Sequence, residues 1–321
     1  MRLSSWGSLV LGLLSAGSEA YLEAARQAVC VGASAATLTL GTLFVAQRSL
    51  LYPAPKVGES LRTYGGKKAQ LVRLPNVDGP KEVGPYVHCA FFPPPTSASS
   101  LLVFFHGNAD QIGWSGADLG RSFRERDAGF LAVEYPGYGL SSQGGKPTET
   151  SILWAAERAL LYAREQVSGP ERIVLFGQSL GCAPALEMAT RHPDIQKLVL
   201  VAPFCSVAAM AKTIFPFLPE RLLALLLKDK FDNLQTAQRL PATTSTLILH
   251  GTEDDIVPFS QGETLANLLG WQNKKATKRL FVPIEGAGHN DIFSPPFHTS
   301  LFDNILAFSS SSSQNNDHHP R

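Results

Sequence analysis

The chain predicts an α/β fold: a mostly parallel central sheet with helices on both faces and a small helical lid. Three observations carry this expectation. Short apolar runs alternate with helix-like segments from residue 101 onward, and strands joined by helices must lie parallel in a sheet covered on both sides. A glycine-flanked turn, Gly177-Gln178-Ser179-Leu180-Gly181, joins one such run directly to a helical pattern. With 321 residues, 44% of them hydrophobic, the chain can bury one large core.

Taken in order, the first fifty residues stand apart from the rest. Residues 28–46 are uncharged and mostly apolar between Arg26 and Arg48. As a helix they would reach about 28 Å, enough to span a bilayer. A membrane anchor is therefore expected over 1–50, with a single span at 28–46. Arg48, Lys56, Arg62, Lys67 and Lys68 follow the span, against Arg2 and Arg26 before it, a bias that places the following domain on the cytoplasmic side. Residues 6–14 form a shorter apolar run, too short to span alone: a signal-peptide core, a re-entrant piece or chance.

Strands are expected at 70–74 and 86–92, followed by the turn Pro93-Pro94-Pro95. Thereafter come a strand at 101–105, a helix at 118–127, a strand at 130–135, a helix at 149–166 and a strand at 173–176. The helix after Gly181, a strand at 197–202, an insertion at 203–240 and a strand at 246–250 follow. A helix at 261–269, a strand at 279–283 and a helix at 296–308 close the domain. The insertion holds Phe204, Ile214-Phe215-Pro216-Phe217 and the apolar run 222–227. It reads either as a lid lining an acyl pocket or as a core helix with ordinary packing. From Ser309 the tail is serine, asparagine and histidine, without a core pattern, and disorder is expected.

Composition narrows the function. A net charge of +1 without a long basic run leaves no electrostatic footprint for nucleic acid. Cys30, Cys89, Cys182 and Cys205 have no metal-ligand spacing, so reduced, mostly buried thiols and no metal or cofactor are expected. No Asn-x-Ser/Thr acceptor occurs, and nothing requires a glycosylated, extracellular setting.

The chemistry gathers on three loops. Ser179, on a sharp strand-to-helix turn, would project its hydroxyl into a cleft, with Gly177 and Gly181 relieving the crowding. A serine hydroxyl is a poor nucleophile by itself, so it needs a histidine base and an acid to orient that base. Asp254 lies after the strand at 246–250, in Gly251-Thr252-Glu253-Asp254-Asp255-Ile256-Val257-Pro258. His289 lies after the strand at 279–283, between Gly288 and Asn290. In a parallel sheet those loops open at the same edge as Ser179. Asp255 is the fallback acid, otherwise a cap for the helix that follows; His106, His192 and His250 read as structural. A tetrahedral intermediate needs two N–H donors, each worth about 3 kcal/mol of barrier. Leu180 is the first candidate; Asn108 is the second, with Ala109 behind it, and Gly107 would permit the tight turn.

These motifs, with Glu134-Tyr135-Pro136-Gly137-Tyr138-Gly139-Leu140-Ser141, resemble the α/β-hydrolase superfamily over residues 48–308. They are most similar to the membrane-associated α/β-hydrolase domain proteins, a branch that holds protein depalmitoylases and relatives linked to lysophospholipid hydrolysis. The resemblance implies Ser179, Asp254 and His289 as a catalytic triad. It also implies an acyl ester or thioester, on lipid or on lipidated protein, as substrate. The depalmitoylase members carry a cysteine-cluster N-terminus, where this chain has only Cys30. Two other readings are a peptidase on the same machinery and a catalytically silent membrane scaffold.

Overall fold

A computed structural model describes residues 23, 26–27, 29–31, 34, 41–42, 44–55, 69–81, 83–272 and 279–311. The chain divides into two compact units, Met1–Leu50 and Leu51–Arg321. In the first unit every described residue is helical, and Val29, Val31, Phe44, Val45 and Leu50 are exposed. Among the described residues no helix is long and apolar enough to cross a membrane. The span expected at 28–46 thus finds no support there, and much of it lies outside the described residues. Its alanine and threonine content keeps its hydropathy moderate, which is why length alone suggested a crossing.

The second unit is built on one eight-stranded sheet. Its strands are β1 (Gln70–Pro75), β2 (Tyr86–Phe92), β3 (Leu101–Phe105), β4 (Gly129–Val133), β5 (Ile173–Gln178), β6 (Lys197–Val201), β7 (Ser245–Gly251) and β8 (Arg279–Ile284). They lie in the order β1-β2-β4-β3-β5-β6-β7-β8. Antiparallel pairing joins β1 to β2 and β2 to β4; every later pair is parallel. Strands β3, β4 and β6 are buried at every position, whereas β1 and β8 at the edges are partly exposed. Continuous burial is what a parallel strand covered on both faces requires.

The pleat sends alternate residues of β3 to opposite cores. Leu101, Val103 and Phe105 face α2 (Glu149–Gln166), α3 (Cys182–Arg191) and α7 (Phe259–Leu269); Leu102 and Phe104 face α1 (Ala117–Arg124) and α8 (His298–Ser310). Helix α2 buries Ile152, Ala155, Ala156, Ala159, Leu160 and Ala163, one face at three- and four-residue spacing. Its start is set by a reciprocal capping box, in which Thr148 Oγ1 accepts from the Ser151 N–H at 3.0 Å and Ser151 Oγ accepts from the Thr148 N–H at 2.9 Å. Gly270, at φ +78°, closes α7 in the left-handed conformation that suits glycine.

The insertion after β6 folds as three short helices, α4 (Val207–Ile214), α5 (Glu220–Leu226) and α6 (Asn233–Gln238). Phe204, Val207, Leu223, Phe231 and Leu240 root it in the core, while Ile214, Phe217, Leu222 and Leu225 face outward. The insertion is thus rooted in the core along its length and exposes apolar side chains on its outer face.

The tail departs from expectation at its start. Ser309 and Ser310 belong to α8, and Ser309 is buried. Its carbonyl accepts hydrogen bonds from Lys197 Nζ and, at 3.1 Å, from Ser100 Oγ. Those partners are distant in sequence and satisfy a helix end that no local pattern announces. Residues 312–321 lie outside the described residues.

Candidate active site

Parallel pairing of β3, β5, β6, β7 and β8 brings the loops after all five to one edge of the sheet. Ser179 opens the turn after β5 at φ +50°, a left-handed conformation unusual for a residue with a side chain. The turn closes only because its neighbours lack side chains. A Cβ on Gly181 would stand 1.9 Å from the Phe105 carbonyl oxygen, and one on Gly177 would stand 2.4 Å from the Gly181 carbonyl oxygen. Beneath the turn the buried Cys182 thiol points at the carbonyls of Gly177 and Val201, both at 3.3 Å, and burial pushes its pKa up. It behaves as a packed apolar group rather than a reactive thiol.

His289 and Asp254 arrive on loops that are tied to each other. The Glu253 N–H donates to the Ala287 carbonyl at 3.0 Å, the Thr252 N–H to the Ile284 carbonyl at 3.1 Å, and the Gly286 N–H to Thr252 Oγ1 at 2.9 Å. Asp254 Oδ1 accepts the N–H groups of Ile256 at 3.0 Å and Val257 at 2.7 Å. Asp254 Oδ2 lies 2.7 Å from His289 Nδ1. A carboxylate can only accept there, so the imidazole proton sits on Nδ1, and Nε2 presents a lone pair to Ser179 Oγ at 3.1 Å. Burial works to raise the Asp254 pKa, but hydrogen bonds from His250 and His289 and the Val257 N–H outweigh it and hold the carboxyl well below its usual range. Ser179, His289 and Asp254 thus form one hydrogen-bonded chain, and all three are buried.

The other predicted positions divide. Asp255 is exposed, and no side chain caps α7, so neither role expected for Asp255 is found. Pairing of Phe105 with Gly177 sets residues 106–109 beside the serine, where the position of a Cβ on Gly107 falls 3.6 Å from Ser179 Cβ. The left-handed residue of that loop is Ala109, at φ +56°, and not Gly107. Asn108 supports this conformation: its Oδ1 accepts from the Ala109 N–H at 3.1 Å and from the Tyr138 hydroxyl at 2.7 Å, while Nδ2 donates to the Leu51 carbonyl. The Ala109 N–H is therefore engaged by the Asn108 side chain.

Below this loop His106 and Glu134 are fully buried, 3.2 Å apart. Burial alone would lower the His106 pKa, yet the Glu134 carboxylate raises it. The Tyr135 hydroxyl donates to the His106 carbonyl at 2.8 Å. His106 is thus structural as read from sequence, and so is His192, which bonds Glu157 at 2.8 Å. His250 lies beside the acid. It is fully buried, with Nε2 2.9 Å from the Val257 carbonyl and 3.4 Å from Asp254 Oδ2. The His250-Gly251 end of β7, four residues before the acid, was the signal available in the sequence. A hollow of about 490 Å³, lined by Ser100, Arg126, Arg172, Lys197, Leu306 and Ser309, lies at the opposite edge and shares no residue with this site. Among the described residues no cluster of His, Cys, Asp or Glu could hold a metal ion.

Comparison with known proteins agrees with the fold. A family model described as alpha/beta hydrolase fold matches residues 100–240. Human alpha/beta hydrolase domain-containing protein 17B is 32% identical over 211 residues, covering 65% of this chain and 67% of that protein. The Caenorhabditis elegans protein aho-3 is 29% identical over 69% of this chain and 61% of its own length. The mouse protein 17C is 33% identical over 64% and 58%. Among solved structures, an esterase from Pyrococcus furiosus superposes with a TM-score of 0.59 at 14% identity, covering 79% of this chain and 95% of that one. An acylaminoacyl peptidase from Pyrococcus horikoshii superposes at 0.57 and 13% identity, but over only 43% of its chain. Likenesses at that identity concern the fold alone, whereas the relatives of known sequence carry the assignment: the chain belongs to the α/β-hydrolase family, in the branch of the α/β-hydrolase domain-containing proteins.

Proposed function

We propose that the protein is a membrane-tethered serine hydrolase that cleaves acyl esters or thioesters of lipids or lipidated proteins. The single observation behind this reading is the chain Ser179 Oγ, His289 Nε2, His289 Nδ1, Asp254 Oδ2, with contacts of 3.1 and 2.7 Å at its two ends. His289 takes the serine proton as Oγ attacks the acyl carbonyl carbon. The oxyanion is received by the backbone N–H groups of Leu180 and Asn108. Asp254 steadies the imidazolium that forms. His289 then passes its proton to the departing alkoxide or thiolate, leaving an acyl-Ser179 enzyme. Water, deprotonated by His289, attacks that ester; collapse releases the acid and returns the proton to Ser179.

Similarity to the 17B and 17C proteins supports a hydrolase, and the exposed apolar residues of the insertion are the kind of surface that a long acyl chain or a membrane would meet. Tethering rests on the apolar N-terminal unit, with the hydrolase domain on the cytoplasmic side. A fluorophosphonate probe should label the full-length protein and not Ser179→Ala, and a panel of acyl-thioester, lysophospholipid, monoacylglycerol and peptide substrates should give turnover with the first three. Equal labelling of both proteins refutes the reading, and turnover of the peptide alone replaces the substrate class.

A further inference from the structure

We propose that His250 is a positioning residue for the acid of the triad, its Nε2–H tying the Asp254 carboxylate to the turn that carries it. The inference rests on the serine-hydrolase reading above. Both atoms facing His250 Nε2, the Val257 carbonyl oxygen at 2.9 Å and Asp254 Oδ2 at 3.4 Å, are acceptors, so the ring proton must lie on that nitrogen. Val257 also donates its N–H to Asp254 Oδ1. The ring therefore braces both ends of one small loop: the carboxylate and the residue that chelates it.

Without His250 the carboxylate is held by two N–H groups on Oδ1 and by His289 on Oδ2. The two N–H groups come from the acid's own turn and His289 from the facing loop, so none of the three ties the carboxylate to the strand that precedes it. His250 approaches Oδ2 from the rigid end of β7 and supplies the fixed reference. The ring itself cannot turn freely. Phe259 packs edge-on at 5.6 Å, and Gly262 of α7 leaves the space behind, where a Cβ would come within 2.1 Å of Nδ1. His250 Nδ1 has no hydrogen-bond partner among the described residues. An apolar ring would avoid that unpaired buried nitrogen, so a histidine here is accounted for by what Nε2 does.

Full-length protein with His250→Phe keeps an aromatic ring and loses the donor, His250→Gln keeps a donor, and Gly262→Ala displaces the ring from behind without touching the triad. In the phenylalanine and alanine variants kcat should fall about 10–100-fold, as for a misplaced catalytic group. KM should stay within about twofold. Fluorophosphonate labelling should slow in parallel, and His250→Gln should recover most of the rate. Wild-type kcat in a folded His250→Phe protein, or a parallel loss in Phe and Gln variants, overturns the proposal. If His250→Phe gives no cooperative melt, the comparison of Gly262→Ala with His250→Gln decides it by the same criterion. An unlabelled wild-type protein instead overturns the hydrolase reading, and this inference falls with it.

Discussion

Ser179 sits at φ +50°, a conformation that costs a residue with a Cβ about 1–3 kcal/mol. Replacing it with glycine should abolish turnover and raise stability by about 1 kcal/mol, read as an upward shift in urea midpoint. Gly181 admits no such freedom: Gly181→Ala drives a methyl into the Phe105 carbonyl, and a loss above about 4 kcal/mol is expected in the same assay. Asp254→Asn should lower kcat about 10⁴-fold, because the amide favours the wrong imidazole tautomer. It should also change acid tolerance. The Asp254 pKa is depressed in the folded protein, so its contribution is fully present above the unfolded carboxylate value of about 3.9 and is lost as pH falls toward the folded value. The wild type should therefore lose stability more steeply below about pH 4 than the asparagine variant, measured by acid unfolding. That Ser179, Asp254 and His289 meet was legible because glycines and strand ends mark them locally. The contact of His250 with Asp254 was not, since the carboxylate meets the ring only after β7 and its loop have folded. The left-handed turn at Ala109 was missed for a related reason: it is supported by the Asn108 side chain and Tyr138, not by a glycine.

At the scale of elements, the strands at 86–92 and 101–105 and the helix at 149–166 have the expected bounds. They were legible because burial demands the apolar runs that define them. Other boundaries moved by one to three residues, where element ends are decided by caps and pairing. Thr148 is the clearest cap: Thr148→Ala should cost about 1 kcal/mol in urea unfolding, with kcat unchanged. The extension of α8 through Ser309 was illegible, because Lys197 and Ser100 arrive from elsewhere in the chain to complete it. The lid was half legible. Its composition announced apolar helices, but the pattern could not say which apolar residues, Phe217 and Leu225 among them, would face outward.

Across the whole molecule, the alternation of strands and helices was enough to place three loops at one edge, because right-handed parallel connections allow few other arrangements. The role of the first unit was less legible, since moderate hydropathy serves a span and a helix in a core alike. Removing residues 1–50 should release the protein from sedimented membranes, assayed by carbonate extraction against the full-length chain. The three hydrogen bonds that knit the acid loop to the histidine loop have a consequence for how the enzyme fails when heated. Acid and base fluctuate as one body, whereas the serine rides on the separate turn between β5 and α3. Thermal loosening should open the gap at Ser179 first, so that activity declines at temperatures where the sheet is still intact, and recovers on cooling because the acid–base pair never came apart.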